Sequence, residues 1–239
     1  MSASTQPGSS PTSPTVAEIN NTVASELSTA DSTATQGVQI LSSINQARLA
    51  QKTRTAASIT ARYGAGSPQA VAAEAAVTAS KATVARVAVI NQQVSTAAPQ
   101  VSATGWALYG HVYNAQLQPA SAYTVFLVDA KKTYQGAYGF SYTDSTGYFQ
   151  INSAGDPASS QSQSQSSQQA SAAAPASPQL FIEIANSNAL PVYLSTTAFQ
   201  PTVGTATYQN ITLPAGEPPI GDPPPEIRRI ALPPTGRSA

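Results

Sequence analysis

Cysteine is absent from the 239 residues, and histidine, tryptophan and methionine occur once each. The missing cysteine excludes disulfides, zinc–thiolate sites and thiol nucleophiles together; it names no compartment, because an exported bacterial protein can also lack it. Charge is scarce and balanced, with 11 Lys and Arg against 11 Asp and Glu. No electrostatic footprint for nucleic acid or an anionic membrane follows from that balance. No run approaches the ~18 apolar residues of a membrane span, and Met1-Ser-Ala-Ser-Thr-Gln-Pro-Gly has neither a basic nor an apolar leader region. The sequence predicts a soluble chain with no membrane insertion. Low charge with much Thr, Ser and Gln leans toward a bacterial or viral surface protein, or an extracellular one exported without a signal peptide.

What is present is organised around Gly105–Asn152. Leu108, Gly110 and Val112 alternate with Tyr109, His111 and Tyr113, the period-two pattern of a strand with two distinct faces. Tyr123–Asp129 is a second run rich in β-branched and aromatic residues, closed by the polar turn Asp129-Ala-Lys-Lys. Thr143-Asp-Ser-Thr-Gly supplies another turn, in which Asp144 accepts from backbone N–H groups ahead of it and Gly147 takes a positive φ. Tyr148–Ile151 resumes the alternation, with Phe149 and Ile151 on one face. Further strands are expected at 180–184, 190–194 and 206–213, after a Ser/Gln-rich flexible insertion at 153–178.

These residues carry a resemblance. Gly110-His-Val-Tyr-Asn, Ala122-Tyr-Thr-Val-Phe-Leu-Val-Asp and Thr143-Asp-Ser-Thr-Gly-Tyr-Phe-Gln-Ile resemble the carboxypeptidase regulatory-like (transthyretin-like) β-sandwich family over roughly Trp106 to Leu213. The resemblance implies a seven-stranded Greek-key-type module, usually non-catalytic and used as a spacer, adhesion or recognition domain. Two chemistries of related folds fail on the residues. A Lys–Asn crosslink could draw on Asn210 and Glu183, but the first strand offers Tyr109, His111 and Tyr113 and no Lys. The transthyretin-like hydrolases need several histidines, and His111 stands alone.

The N-terminal part has another period. Residues 1–15 are Ser, Thr, Pro and Gly without periodicity and are expected to be disordered. Val23, Leu27, Ala30, Ala34, Gly37, Leu41, Ile44 and Arg48 then follow a 4-3 heptad spacing, predicting a long helix with a weak point at Thr35–Gly37. Arg62-Tyr-Gly-Ala-Gly-Ser-Pro ends it and starts a second helix, with Gly64 or Gly66 at the C-terminal stop, Ser67 as N-cap and Pro68 in the first turn. This helix is expected to reach Ala98 along a seam of Val71, Ala75, Thr78, Ala82, Ala85, Val89 and Gln92. An Ala-rich seam buries far less than the ~1.5–3 kcal/mol of each buried Leu or Val. Val77, Val84, Val87, Ile90 and Val94 lie off that seam, so the hairpin of residues 16–99 is expected to need a further cover, from the β-domain or from other copies. The Pro-rich tail 215–239 reads as extended polyproline II where ordered.

The fold expected is thus α+β: a long antiparallel helical hairpin followed by a seven-stranded sandwich over 104–214. Tyr109, His111, Tyr113 and Tyr142 are the candidate binding residues, as an outward aromatic stripe extended by Tyr138 that could stack on sugar rings or anchor a protein; the competing reading is that the hairpin or a neighbour covers them. No catalytic motif, phosphate loop or zinc motif is present, and no cofactor is expected. Asp129, Asp144 and Asp156 lack calcium-loop spacing, so Asp144 reads as a turn former. Leu232-Pro-Pro-Thr-Gly matches a sortase signal in letters only, since three residues follow it, and the sequons at Asn20 and Asn210 matter only in a glycosylating host. The expectation is a non-enzymatic structural or assembly protein whose partners are other copies or a partner helix. The alternative is a glycan- or protein-binding adhesion module.

Overall fold

The computed structural model describes residues 15–153 and 179–230. The N-terminal segment 1–14, the Ser/Gln-rich insertion from 154 to 178 and Leu232–Gly236 lie outside them. The architecture is α+β, a helical hairpin followed by a seven-stranded β-sandwich.

Helix α1 is Val16–Tyr63, 48 residues. Thr15 caps it: its hydroxyl accepts from the Glu18 N–H at 3.2 Å, and the Glu18 carboxylate accepts from the Thr15 N–H at 2.7 Å, a reciprocal capping box. The helix is rich in Thr and Ser, weak helix formers, and many turn their hydroxyls back onto the carbonyl four residues earlier, as Thr22 does to Glu18 and Thr53 to Leu49. It runs unbroken through Gly37, where a weak point was expected. Gly64, at φ 86°, ends it, and Ser67 and Pro68 start α2, Pro68–Ser95, with the Ser67 hydroxyl accepting from the Ala70 N–H at 3.2 Å.

The seams correct the expectation. In α2 the residues turned inward are Ala70, Ala73, Val77, Ser80, Val84, Val87 and Asn91, so Val77, Val84 and Val87 pack within the hairpin; of the expected seam only its C-terminal members Ala85, Val89 and Gln92 are half-buried, while Val71, Ala75, Thr78 and Ala82 are exposed. In α1 the inward row is Thr35, Val38, Ser42, Asn45, Leu49, Ala56 and Ile59, one residue out of phase with the expected heptad. The reason lies near the turn. Continued toward Gly64, the expected row of α1 offers Arg48, Gln51, Thr55 and Ser58, none apolar, whereas the neighbouring phase offers Leu49, Lys52, Ala56 and Ile59, three of them apolar and Lys52 left exposed. The apolar phase wins there, and the Val-rich phase of α2 beats its Ala-rich one, because larger side chains bury more area. Leu41 and Ile44 are left 44% exposed. The second helix stops at Ser95, three residues short of the expected end.

The strands are β1 Trp106–Tyr113, β2 Thr124–Val128, β3 Phe140–Tyr142, β4 Tyr148–Ser153, β5 Phe181–Ala185, β6 Pro191–Leu194 and β7 Ala206–Thr212. They form one sheet in the order β4-β1-β7 and a second in the order β3-β2-β5-β6. β1 is antiparallel to β4 and parallel to β7. Gly110 allows this parallel contact, since a Cβ there would run into the Gln209 carbonyl. Leu108, Val112, Phe149, Ile151 and Ile211 of the first sheet meet Val125, Leu127, Ile182, Ile184 and Val192 of the second, one continuous core closed at an end by Trp106 and Phe199, 5.4 Å apart.

A second, smaller core lies on the outer face of the second sheet. Phe126, Val128, Ala185 and Ala189 are covered there by Ile227 of α3, Pro225–Ile230. Residues 214–230 are therefore docked on the sandwich: Glu217 accepts from the Tyr123 hydroxyl at 2.6 Å, and the Ile220 N–H donates to the Pro191 carbonyl at 2.9 Å. The helix at 225–230 corrects the expectation of an extended form for that part of the tail. Pro225 in the first turn of a helix and a single Ile aimed at an apolar sheet face outweigh the polyproline tendency.

Candidate functional site

The outer face of the first sheet gathers most of the expected site. Because side chains alternate along a strand, Tyr109, His111 and Tyr113 of β1 point away from the sandwich core, next to Tyr148, Gln150 and Asn152 of β4 and Tyr208 and Asn210 of β7. The β1 residues are buried, so the exposed stripe expected of them does not form. The covering element is the end of the hairpin. The Tyr113 hydroxyl donates to Gln92 Oε1 at 3.2 Å, Gln92 Nε2 donates to the Thr146 carbonyl at 3.1 Å, and Asn210 Nδ2 reaches Gln93 Oε1 at 3.5 Å. Tyr109 lines, with Asp31, Ala34 and Val94, a crevice where α1, the end of α2 and β1 converge.

Beneath that cover the rings and amides form one network. Tyr109 and Tyr208 meet edge to face at 5.2 Å, and His111 and Tyr148 at 5.4 Å. The Tyr208 hydroxyl donates to Asn210 Oδ1 at 2.8 Å and lies 3.1 Å from His111 Nδ1. With the phenol proton spent on Asn210, His111 carries its hydrogen on Nδ1 and donates. Tyr148 donates to Gln150, and Gln150 to Asn152, along β4. Burial holds the His111 imidazole below its ordinary pKa, opposed by the Asp144 charge. Burial raises the Tyr113, Tyr148 and Tyr208 hydroxyls. Such a set keeps neutral, hydrogen-bonded groups neutral: it locks a helix end to a sheet.

Asp144 performs the turn role expected of it, its Oδ1 accepting from the Thr146 and Tyr148 N–H groups at 2.8 and 2.9 Å, while Gly147 holds φ 74°. Tyr142 belongs to the other sheet. It is 36% exposed and meets Phe140 edge to face at 5.3 Å. Tyr138 packs on the main core beside Trp106 at 5.3 Å. The four candidates thus do not share one surface. Glu183 and Asn210 lie on the outer faces of opposite sheets, which separates the Asn from the buried acid that a Lys–Asn crosslink would need beside it.

Glu183 is a buried acid that period-two reading could have found, since Ile182 and Ile184 on either side face the main core. Its registered neighbours are Phe126 and Leu194, its Oε2 has no hydrogen-bond partner among the described residues, and burial raises its pKa to about 7 against the opposing pull of Lys132. Gln92 and Gln93 carried no signal in the sequence beyond a position near a helix end. No group of three or more His, Asp or Glu among the described residues could hold a metal ion, and no helix among them is long and apolar enough to cross a membrane.

The other candidate surface is the exposed row of α1, the heptad of Val23, Leu27, Ala30, Ala34, Gly37, Leu41 and Ile44, which α2 leaves uncovered. Beside the hairpin tip it runs into a shallow groove lined by Gln51, Thr55, Ala72, Ala73 and Ala76.

No family model and no curated protein matches the chain. Among solved structures, the dioxygenase domain of a dioxygenase carbohydrate-binding protein fusion from Streptomyces sp. SirexAA-E is similar at 9% identity, over 50% of this chain and 83% of that one, with a TM-score of 0.26. A 3-chlorocatechol 1,2-dioxygenase from Rhodococcus opacus 1CP is similar at 14% identity, over 49% and 66%, with the same score. A 9R-lipoxygenase from Cyanothece PCC8801 is similar at 14% identity, over 72% of this chain and 24% of that one, also at 0.26. At a TM-score of 0.26 nothing about fold or function follows.

Proposed function

We propose that this protein is a non-enzymatic structural or assembly component. In it the helical hairpin makes contacts with other copies or a partner chain, and the sandwich, of the carboxypeptidase regulatory-like kind, serves as a spacer or surface-display module. The observation that carries this reading is the uncovered row on α1, where Val23 is 51% and Leu27 62% exposed on a helix of 48 residues against the 28 of α2. Single exposed apolar residues are ordinary on a protein surface; a heptad-spaced row along one helix face is the pattern of a helix that packs on another. The non-enzymatic part is supported by the only imidazole, buried under the hairpin end and hydrogen-bonded to Tyr208.

Light scattering of the full chain across concentration tests it. A defined oligomer is expected, and Leu41→Ser with Ile44→Ser should give a smaller species with unchanged helix content. A monodisperse monomer at high concentration, with the hairpin folded, would overturn the reading.

A second reading, a glycan- or protein-binding module, is favoured by one observation, the exposed Phe140–Tyr142 pair on the edge strand β3. It expects Tyr142→Ala to abolish capture of a glycan or protein ligand with an unchanged melting temperature.

A further inference from the structure

The charges of α1 are sorted by sign along its length. Its acids, Glu18, Glu26 and Asp31, all lie in the N-terminal half, and its bases, Arg48, Lys52, Arg54 and Arg62, all lie in the C-terminal half. An antiparallel alignment of α1 with a second α1, centred on Ile40 within one residue of the helix midpoint, overlaps the two over essentially all 48 residues. That single alignment sets Glu18 level with Arg62, Glu26 level with Arg54, and Asp31 within one residue of Arg48. Glu26 and Arg54 each precede a residue of the apolar row, Leu27 and Thr55, and so flank the same edge of it. Asp31 and Lys52 each follow one, Ala30 and Gln51, and flank the other edge. In an antiparallel helix pair like edges face each other, so Glu26 would meet Arg54 level on one side of the row, and Asp31 would face Lys52 three residues, about 4.5 Å, off level on the other. A parallel pair would set Glu26 against Glu26 and Arg54 against Arg54.

Length agrees with charge. Residues 15–34 are exposed throughout, while the last turns of α2 end in the crevice that holds Asp31 and Ala34, so the first half of α1 extends past its own hairpin partner. In the antiparallel alignment that half lies level with the partner's hairpin tip, beside the groove whose α2 wall is Ala72, Ala73 and Ala76. Small side chains let a third helix approach closely there. We infer that the occupant of the exposed row is a second copy of this chain, bound through α1 about a two-fold axis near Ile40. Each lone N-terminal half then completes a three-helix unit on the other copy's hairpin. This inference deepens the assembly reading and rests on it.

The absence of native cysteine gives a clean test on the full chain. Leu27→Cys and Gln51→Cys, both on the exposed row and within two residues of level, co-expressed as two tagged chains and oxidised, should form a mixed disulfide dimer, and neither variant alone should crosslink. In the two-fold pair the two copies of residue 27 are separated by 26 helical positions, about 39 Å, far beyond disulfide reach. Glu26→Arg should weaken association about tenfold, by replacing attraction with repulsion at two symmetric contacts, and adding Arg54→Glu to the same chain should restore it. Crosslinking of either cysteine variant alone would overturn the antiparallel arrangement. An oligomer in light scattering with no mixed crosslink would overturn α1 pairing while leaving assembly through another surface. A monomer would overturn both.

Discussion

The Tyr113 hydroxyl donates to the Gln92 side chain at 3.2 Å, joining the first strand of the sandwich to the last turns of the hairpin. The same amide donates to the Thr146 carbonyl at 3.1 Å, in the turn before β4. One glutamine thus ties α2 to two places on the sandwich, and the buried hydroxyl of Tyr113 has no other hydrogen-bond partner among the described residues.

Gln92→Ala is expected to cost about 1–2 kcal/mol, because it strips both bonds and leaves a buried phenol unsatisfied. Denaturant unfolding of the variant checks this. A change of only a few tenths of a kcal/mol would mean that helix and sheet are not held together through this residue in solution.

His111 predicts a loss of stability on the acid side. Burial lowers its folded pKa below the ordinary 6.5, so the unfolded chain binds the proton first as pH falls. Its contribution is fully present above 6.5 and is lost as pH drops from there through the folded value. With one histidine in the chain, a single imidazole resonance followed by NMR reports this titration directly. A folded midpoint at or above 6.5 would contradict the buried environment.

Glu183 predicts the opposite sign. Its folded pKa is raised to about 7 by burial, with Lys132 pulling the other way, so stability is highest below the unfolded value near 4.5 and declines as pH rises through about 7. Glu183→Gln is expected to be stabilising at pH 8 by on the order of 1–2 kcal/mol, less than the full linkage because Lys132 and solvent at the rim screen part of the charge. Unfolding curves of wild type and variant at pH 5 and pH 8 separate this slope from that of His111. No difference at pH 8 would sink the assignment.

Ile227 anchors the docked C-terminal segment. Ile227→Ala is expected to cost about 2–4 kcal/mol if that segment unfolds with the sandwich. Limited proteolysis should then cut within 214–230 first. Resistance equal to wild type would place the anchor elsewhere.

The alternation of Leu108, Val112, Phe149 and Ile151 made the sandwich legible, because a period of two with large apolar residues has one way to bury them. The turns were legible for a different reason. Asp144 and Gly147 do locally what their chemistry allows, and Gly64, Ser67 and Pro68 do the same between the helices. The phases of α1 and α2 were not legible. Each helix carries apolar residues in adjacent rows, so spacing alone leaves the choice open, and the contest between Leu49–Ala56–Ile59 and Arg48–Gln51–Thr55 is decided only when a partner is present.

The candidate site shows the same division. Composition and spacing identified Tyr109, His111 and Tyr113 as one outward row and left open whether something covers it. Whether an outward face of a sheet is wet or buried depends on where a distant helix ends, and Gln92 reaches that face from 21 residues upstream of Tyr113. The sequence by itself therefore determined the two long helices, the strands other than β3, their inward faces and the sign-sorted charge of α1, all of which follow from residues within a few positions of each other. Only the tertiary structure decided which row of each helix is buried, that the aromatic row lies under the hairpin, and that Ile227 closes a second core over Glu183. Those outcomes are set by which surfaces compete for the same partner, and such competition exists only between segments brought together by folding.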